Sequence, residues 1–253
     1  MLVLSGILKT SFFCNFFLGT TDNQFGFKAV HSTDQCSFLL KQTASYFVTH
    51  GSSVHAVFLD ASKALDRVLH MKLFEKLIQR KVPMCFVRLL KHWYKERTMQ
   101  IKWGKNFSEL FHVSNGVRQG GVLSPYLLAV YLDDLSNELN NIKAGCYVGE
   151  VLLHHFMFVD DICVFCPSVR WLQRILNVCQ AYAESYGIIF NCSKTVCMTF
   201  KAKSAQLLHA NTNIWGLYWI LSSQMTKTFR DNCDINTVQQ TSCSLLFPLF
   251  KCS

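Results

Sequence analysis

The sequence predicts an α+β fold in which helices pack on an antiparallel sheet. Short β-branched and aromatic runs, the first at 54–59, alternate with longer segments that repeat apolar residues at helical spacing. Two strand-like runs meet at Gly104-Lys105-Asn106, a hairpin signal typical of antiparallel pairing. Half of the 253 residues are hydrophobic and 13% are aromatic, so the chain can bury a large core and we do not expect wholesale disorder.

The strand-like runs are short and bounded by turn residues. They lie at 54–59, 98–103, 107–113, 153–158, 162–165 and 196–200. The first run is continuously apolar and ends at Asp60, which is typical of a buried strand. Between the fourth and fifth runs, Asp160-Asp161 is expected at a tight turn.

The helical segments are identified by apolar spacing and by the residues at their ends. They lie at 70–80, from Pro83 onward, at 124–140 and at 169–186. Pro83 and Pro125 lie near the start of a helix, where the missing N–H of proline is tolerated. Gly187 suits a helix C-terminus. Strands in hairpins with helices between them give the α+β layout.

The two ends of the chain have a different character from its centre. The first 21 residues are as apolar as a signal peptide, but Lys9 and Asn15 interrupt them and no basic segment precedes them. We therefore expect a helix that belongs to a larger core, because no apolar run is long enough to span a bilayer. The last fifty residues are rich in Ser, Thr, Asn and Gln and carry a weak pattern.

The chain is basic. Lys and Arg total 25 against 16 Asp and Glu, giving a formal net charge of +9 and an isoelectric point near 9.0. This surplus favours an anionic partner such as nucleic acid or an acidic membrane surface, although a merely basic protein would show the same charge.

The twelve cysteines show no dense disulfide spacing, so we expect buried, reduced thiols in an intracellular chain. An alternative is a zinc site built from His154, His155, Cys163 and Cys166. It lacks the second cysteine pair that zinc-binding spacings carry.

Three carboxylates follow two of the apolar runs. Asp60 ends one strand, and Asp160 and Asp161 interrupt the apolar stretch 154–166. An Asp-Asp pair is often only a turn, but two strands ending at the same sheet edge would crowd three negative charges together. Such charges repel unless they are protonated or neutralised. Oxygen ligands suit Mg²⁺, and two such ions about 3.5–4 Å apart support in-line displacement at phosphorus.

Five motifs, in order and at matching spacing over about residues 20 to 200, resemble those of reverse transcriptases of non-LTR (LINE-type, jockey-like) retrotransposons. Residues 58–68 resemble the first palm motif, and residues 115–125 resemble the next, G-x-x-Q-G-x-x-x-S-P. Residues 158–161 correspond to the Tyr-x-Asp-Asp box, and residues 187–195 to G-x-x-x-N-x-x-K-T. Residues 23–33 match the fingers segment. Five motifs together make coincidence a poor explanation.

The resemblance implies a metal site. Asp60 and Asp160 would bind two Mg²⁺ ions, with Mn²⁺ as a substitute, and Asp161 would lie beside them as the third catalytic carboxylate. Ala61 would contribute its backbone carbonyl to a metal. Asp66 lies outside this set and is expected to hold local structure.

The resemblance also implies a nucleotide and template site. Gln119 and Gly120 would line the incoming nucleotide and the template, and Lys194 would lie near the triphosphate. Leu65 stands where the family usually carries Phe or Tyr, a ring that excludes the 2′-hydroxyl, so sugar discrimination is expected to change. Phe158 replaces the usual Tyr of its box and keeps the ring.

The implied fold is the palm of a right-hand polymerase with partial fingers and little or no thumb. We expect a truncated N-terminal segment at 1–22, a fingers/palm domain at 23–203 and a degenerate segment at 204–253. The implied function is RNA-directed DNA polymerisation for a mobile element, with an RNA template, a DNA primer and dNTPs. The expected location is intracellular, nuclear or cytoplasmic, with neither secretion nor a membrane partner.

Other functions fit parts of the sequence. One is a catalytically inactive, truncated relic that at most binds nucleic acid. Another is an RNA-directed RNA polymerase, which shares the palm and the Asp-Asp turn, although the motifs at 115–125 and 187–195 argue against it. A metal-binding structural protein would need paired ligands that the cysteine spacing lacks.

Overall fold

The computed structural model describes residues 19–202, and their main sheet is antiparallel, as predicted. In chain order, its four strands are β1 (Val54–Asp60), β8 (His155–Phe158), β9 (Asp161–Cys166) and β10 (Val196–Phe200). Side by side in the sheet, their order is β10–β1–β9–β8. The sequence-based α+β assignment is therefore confirmed.

Both faces of the sheet are covered, which explains why its central strands are continuously apolar. Along β1, Val57 and Leu59 pack in one hydrophobic cluster, whereas Ala56 and Phe58 pack in the other. This alternation follows from the two-residue period of a strand. Among the helices of residues 19–202, most pack against the first face and one packs against the second.

The helix on the second face is α1 (Thr33–Thr49), to which the sequence analysis assigned no element. Ser32 and Gln35 form a capping box, in which each side chain accepts a hydrogen bond from the backbone N–H of the other residue. This pair was the available sequence signal for the start of the helix.

Within residues 19–202, four of the other five helices lie near their predicted positions, and the short helix that follows β1 is one that the sequence did not predict. The five are α2 (Ala64–Arg67), α3 (His70–Gln79), α4 (Met84–Lys95), α5 (Ser124–Asn140) and α6 (Val169–Tyr186). Gly187 follows α6 with a φ of +65°, which confirms its predicted role as a C-terminal cap. Within residues 19–202, no helix is both long and apolar enough to cross a membrane.

The hairpin around Gly104 forms two short ladders, separate from the main sheet. β2 (Thr98–Met99) pairs with β5 (Phe111–His112), and β3 (Lys102–Trp103) pairs with β4 (Asn106–Phe107). The predicted hairpin is confirmed, but it is interrupted between the two ladders.

Two predicted strand boundaries are wrong. Leu153 ends β7 (Val151–Leu153), which pairs with β6 (Cys146–Val148) in a hairpin that the sequence analysis missed. The second error concerns the carboxylates, because Asp161 is the first residue of β9 and pairs with Phe158 of β8. The turn is therefore Val159-Asp160, one residue earlier than predicted. Pairing with β1 as well as β8 keeps Asp161 in the strand.

The core contains a charged side chain between three helices. Lys76 of α3 is 2% exposed, and its ammonium group donates hydrogen bonds to the Asp134 carboxylate and, at 2.9 Å, to the Tyr182 hydroxyl. It also lies 4.2 Å from the centroid of the Tyr186 ring. Burial lowers the pKa of Lys76, and the hydrogen bond to Asp134 opposes this effect.

Lys76→Ala should lower the free energy of unfolding by about 2–3 kcal/mol, because it removes a buried side chain together with its hydrogen bonds to Asp134 and Tyr182. Urea denaturation followed by circular dichroism measures this change. Lys72→Ala is the control: its side chain is 46% exposed and its nitrogen lies 3.9 Å from the Glu75 carboxylate. Lys72→Ala should lower the free energy of unfolding by less than about 1 kcal/mol. Equal losses in the two variants would contradict a stabilising role for the buried Lys76.

Candidate active site

The three carboxylates predicted from the sequence meet at one end of the sheet. Asp60, the last residue of β1, is the direct register partner of Asp161, the first residue of β9. Opposite residues of antiparallel strands direct their side chains to the same face. Asp160, which immediately precedes Asp161, lies in the turn that connects β8 to β9. The sheet therefore brings two strand ends and a turn together, as the sequence analysis expected.

The charges at this edge disfavour one another. The pKa of Asp161 is raised to about 8, first by burial and then by the neighbouring Asp160 and Asp60. Burial also raises the pKa of Asp160, and Asp60 adds to that effect. Burial and the neighbouring carboxylates therefore drive Asp160 and Asp161 toward their protonated forms.

Lys194 is the cation that partly compensates this charge. Its Nζ lies 4.0 Å from Asp60 Oδ2, and its side chain is 60% exposed. A pair with this separation and exposure contributes little to stability. Lys194 nevertheless lowers the pKa of both Asp160 and Asp161.

The donor set at this edge is chemically suited to a hard divalent cation, because it consists of carboxylate oxygens. Across residues 19–202, however, no three His, Cys, Asp or Glu side chains are already placed to hold a metal ion. The carboxylates are thus gathered at one edge without forming a closed ligand cage.

The alternative zinc site has no support in this geometry. Cys163 packs in the hydrophobic cluster on the α1 face, whereas Cys166 packs in the cluster on the opposite face. Residues three apart in a strand point to opposite sides, so these two thiols do not face a common ion. A ring nitrogen of His154 contacts the Leu139 carbonyl at 2.9 Å, and one of His155 contacts the Ser136 hydroxyl at 2.8 Å.

Backbone hydrogen bonds join the motif at 187–195 to the end of β1. Asn191 N donates to the Asp60 carbonyl at 2.8 Å. Ala61, which is 6% exposed, forms a single antiparallel bridge with Phe190. These contacts place Lys194, three residues after Asn191, beside the Asp60 carboxylate.

A second predicted loop is held against α2, the short helix that follows β1. Val117 N donates to the Leu65 carbonyl at 2.7 Å. The Gln119 side chain is exposed and donates to Asp66 Oδ1 at 3.0 Å. Gly120, also exposed, has a φ of +75°. Leu65 is half-buried against the main core, so the loop and α2 form one surface next to the carboxylate edge.

The segment before α1 contributes a contact that the sequence analysis missed. Residues 23–25 run parallel to β8, with Phe25 N donating to the Met157 carbonyl and Met157 N to the Asn23 carbonyl, both at 2.8 Å. The Gln24 side chain reaches the Val159-Asp160 turn. Residues 23–33 carry a recognisable motif, but local periodicity does not indicate which turn this segment contacts.

Comparison with known proteins identifies the family. Residues 14–243 match the family described as reverse transcriptase (RNA-dependent DNA polymerase). The chain belongs to this family. The sequence-based resemblance to non-LTR retrotransposon reverse transcriptases is thereby confirmed.

Curated relatives of this reverse transcriptase-family chain include proteins from mobile elements of Drosophila. It is 30% identical over 192 residues to a probable RNA-directed DNA polymerase from transposon BS of Drosophila melanogaster, covering 72% of this chain and 20% of the relative. It is 29% identical over 183 residues to the RNA-directed DNA polymerase from mobile element jockey of Drosophila funebris, covering 70% and 19%. The chain thus spans about a fifth of these relatives' lengths.

Solved telomerase structures share the fold. The structure of telomerase from Candida tropicalis, in complex with a TWJ fragment of telomeric RNA, aligns with a TM-score of 0.57 and 14% identity, covering 97% of this chain and 40% of that one. An apo telomerase from the same organism aligns with a TM-score of 0.55 and 17% identity, covering 70% and 37%. At these identities the likeness shows the fold alone, and it confirms the predicted polymerase palm.

The domain boundaries at 22/23 and 203/204 stay predictions, since most of both end segments lies outside residues 19–202. The roles assigned to individual site residues also stay predictions.

Asp161→Asn should stabilise the metal-free protein, and by more at pH 8 than at pH 6. The pKa of Asp161 rises from about 3.9 in the unfolded chain to about 8 in the folded one. The folded state therefore binds more protons between these values, and its stability falls as pH rises through that window. In the Asp161→Asn variant this side chain does not titrate, so it causes no fall in stability as the pH rises.

Urea denaturation in EDTA at pH 6, 7 and 8 measures the effect as the difference between variant and native protein, which cancels the titration of the buried histidines. Asp34→Asn, at an exposed position of α1, is the control and should show a constant difference. A constant difference for Asp161→Asn would contradict the raised pKa.

Proposed function

We propose that this chain carries the polymerase domain of a non-LTR retrotransposon and extends a DNA primer on an RNA template with dNTPs. The observation that supports this most is the meeting of Asp60 and Asp161 in register, with Asp160 beside them, on a polymerase palm. The basic surplus suits nucleic-acid partners, whose phosphates attract Lys and Arg. Because those partners are RNA and DNA, we place its activity inside the cell, in the nucleus or the cytoplasm.

The cofactor follows from the family and from the donor set. Reverse transcriptases generally use divalent metal ions, and we propose Mg²⁺, two ions, with Mn²⁺ as a substitute. Asp60, Asp160 and Asp161 would hold them, together with the Ala61 carbonyl. The raised pKa of Asp161 supports this assignment, because burial and the neighbouring carboxylates both disfavour its charged form, and a bound cation would offset both effects. When bound, the ions supply activation of the primer 3′-hydroxyl and stabilisation of the leaving pyrophosphate.

The chain's own residues would position the substrates. Lys194, exposed and 4.0 Å from the Asp60 carboxylate, would contact a triphosphate at this edge and donate a proton to the leaving pyrophosphate. Gln119 and Gly120 lie on the exposed loop beside α2 and would line the nucleotide and template. Leu65, which replaces the usual aromatic ring, would fill less of the space below the sugar.

Asp160→Asn should reduce Mg²⁺-dependent primer extension on an RNA template by about 100-fold or more, since loss of groups that merely support metal ligands already costs 10–100-fold. Purified chain is assayed with a labelled DNA primer and dNTPs. Asp34→Asn, the same change at an exposed position, should keep full activity. Binding of the template-primer should change little in either variant.

The other outcomes separate the competing functions. Extension that survives Asp160→Asn would refute the site assignment. Extension with NTPs in place of dNTPs would identify an RNA-directed RNA polymerase, or poor sugar discrimination at Leu65 if both substrates are used. No extension by folded, monodisperse chain that still binds template-primer would favour the inactive relic.

Leu65→Phe should reduce incorporation of NTPs relative to dNTPs by about tenfold or more, because a larger ring would crowd the 2′-hydroxyl. The measurement is the ratio of kcat/KM for dTTP and UTP. An unchanged ratio would show that Leu65 lies away from the sugar.

A further inference from the structure

Val159, the residue immediately before Asp160, has a backbone conformation that its side chain disfavours. Its φ is +61°, in the left-handed region that β-branched residues rarely adopt. It is also the first residue of a two-residue hairpin loop, where a positive φ usually selects glycine. Because valine does not favour this geometry, other contacts must hold the turn that carries Asp160.

The Gln24 side chain supplies those contacts. Its Oε1 accepts a hydrogen bond from Val159 N at 2.8 Å, and its Nε2 donates to the Val159 carbonyl at 3.2 Å. One amide therefore binds both backbone polar groups of Val159, including the carbonyl of the peptide that leads into Asp160. Gln24 is fully buried, so water does not compete for these hydrogen bonds.

The Gln24 amide is itself held in place. Gly26 N donates to Gln24 Oε1 at 3.0 Å. A Cβ on Gly26 would lie 2.5 Å from Val159 Cγ2 and 2.6 Å from Val159 N. Glycine at this position lets the segment approach the turn closely enough for the amide to reach it.

We infer that Gln24 is a positioning residue for catalysis: by holding the strained Val159 backbone, it fixes where the Asp160 carboxylate lies. This inference rests on the proposed function, because it concerns the same carboxylate site. Gln24 does not contact the carboxylates through any of these hydrogen bonds, so it acts through the turn. Loss of the amide would free Val159 to leave the left-handed region and would displace Asp160.

Four proteins test the inference: the native chain, Gln24→Met, Gln24→Met with Val159→Gly, and Asn23→Ala. Methionine keeps the length of glutamine and removes its hydrogen bonds. Glycine at 159 accepts a positive φ without strain. Asn23→Ala, the matched control, removes the hydrogen bond that Asn23 Nδ2 donates to the His155 carbonyl of β8 at 2.9 Å, and it leaves both hydrogen bonds between Gln24 and Val159. Each variant is assayed well below its own thermal midpoint.

Gln24→Met should lower kcat by about 10- to 100-fold, since small displacements of catalytic groups cost this much. KM for dNTP and Kd for template-primer should stay within about threefold, because Gln24 lies under the turn and not in the predicted substrate contacts. Mn²⁺ binding to the protein alone, measured by electron paramagnetic resonance, should weaken about tenfold. Val159→Gly should recover part of both losses, and Asn23→Ala should leave both within about twofold of native.

Several results would overturn the inference. Equal kcat and equal Mn²⁺ affinity for Gln24→Met and Asn23→Ala would make Gln24 a purely structural residue. A defect that Val159→Gly leaves unchanged would show that the turn conformation is not what Gln24 controls. If the native chain binds Mn²⁺ without extending primers, polymerase activity fails and the Mn²⁺ series alone decides the role of Gln24. A native chain that binds no Mn²⁺ would overturn both proposals.

Discussion

Six consecutive residues of β1 pair with β9 in antiparallel register, and this pairing determines which side chains meet at the end of the sheet. It sets Asp60 opposite Asp161, and the remaining contacts of the site follow from that position. A slip of one residue would send every side chain of the strand to the other face. Burial on both faces makes such a slip costly, because each face of β1 packs in a separate hydrophobic cluster.

Around this register, segments that are distant in sequence are joined through their backbones. Asn191 donates to the Asp60 carbonyl, Val117 to the Leu65 carbonyl, and Phe25 to the Met157 carbonyl. Backbone contacts tolerate side-chain substitution. They therefore hold the loops at the end of the sheet whichever side chains the loops carry. The predicted nucleotide-binding residues can therefore sit on exposed loops while their positions are set by the buried sheet.

The same arrangement sets like charges together and holds a turn in a disfavoured conformation. Asp161 is driven toward its protonated form by burial and by its carboxylate neighbours, and Val159 holds a positive φ. Both features lie within three consecutive residues, at the point where the sequence breaks an apolar run. Strain and unneutralised charge persist only where the surrounding structure holds them, and they concentrate at functional sites.

The sequence by itself determined the strands of the main sheet and most helices, the family, and the gathering of Asp60, Asp160 and Asp161 at one edge of that sheet. These follow from local periodicity, from turn residues and from motif order, all of which are readable along the chain. It placed the turn one residue late, and it left the β6–β7 hairpin and the role of Gln24 undetected. Only the tertiary structure decided that Asp161 faces Asp60 and that a buried amide from residue 24 supports residue 159. Long-range register and side-chain contacts depend on how separate elements pack. The periodicity within one element does not predict that packing.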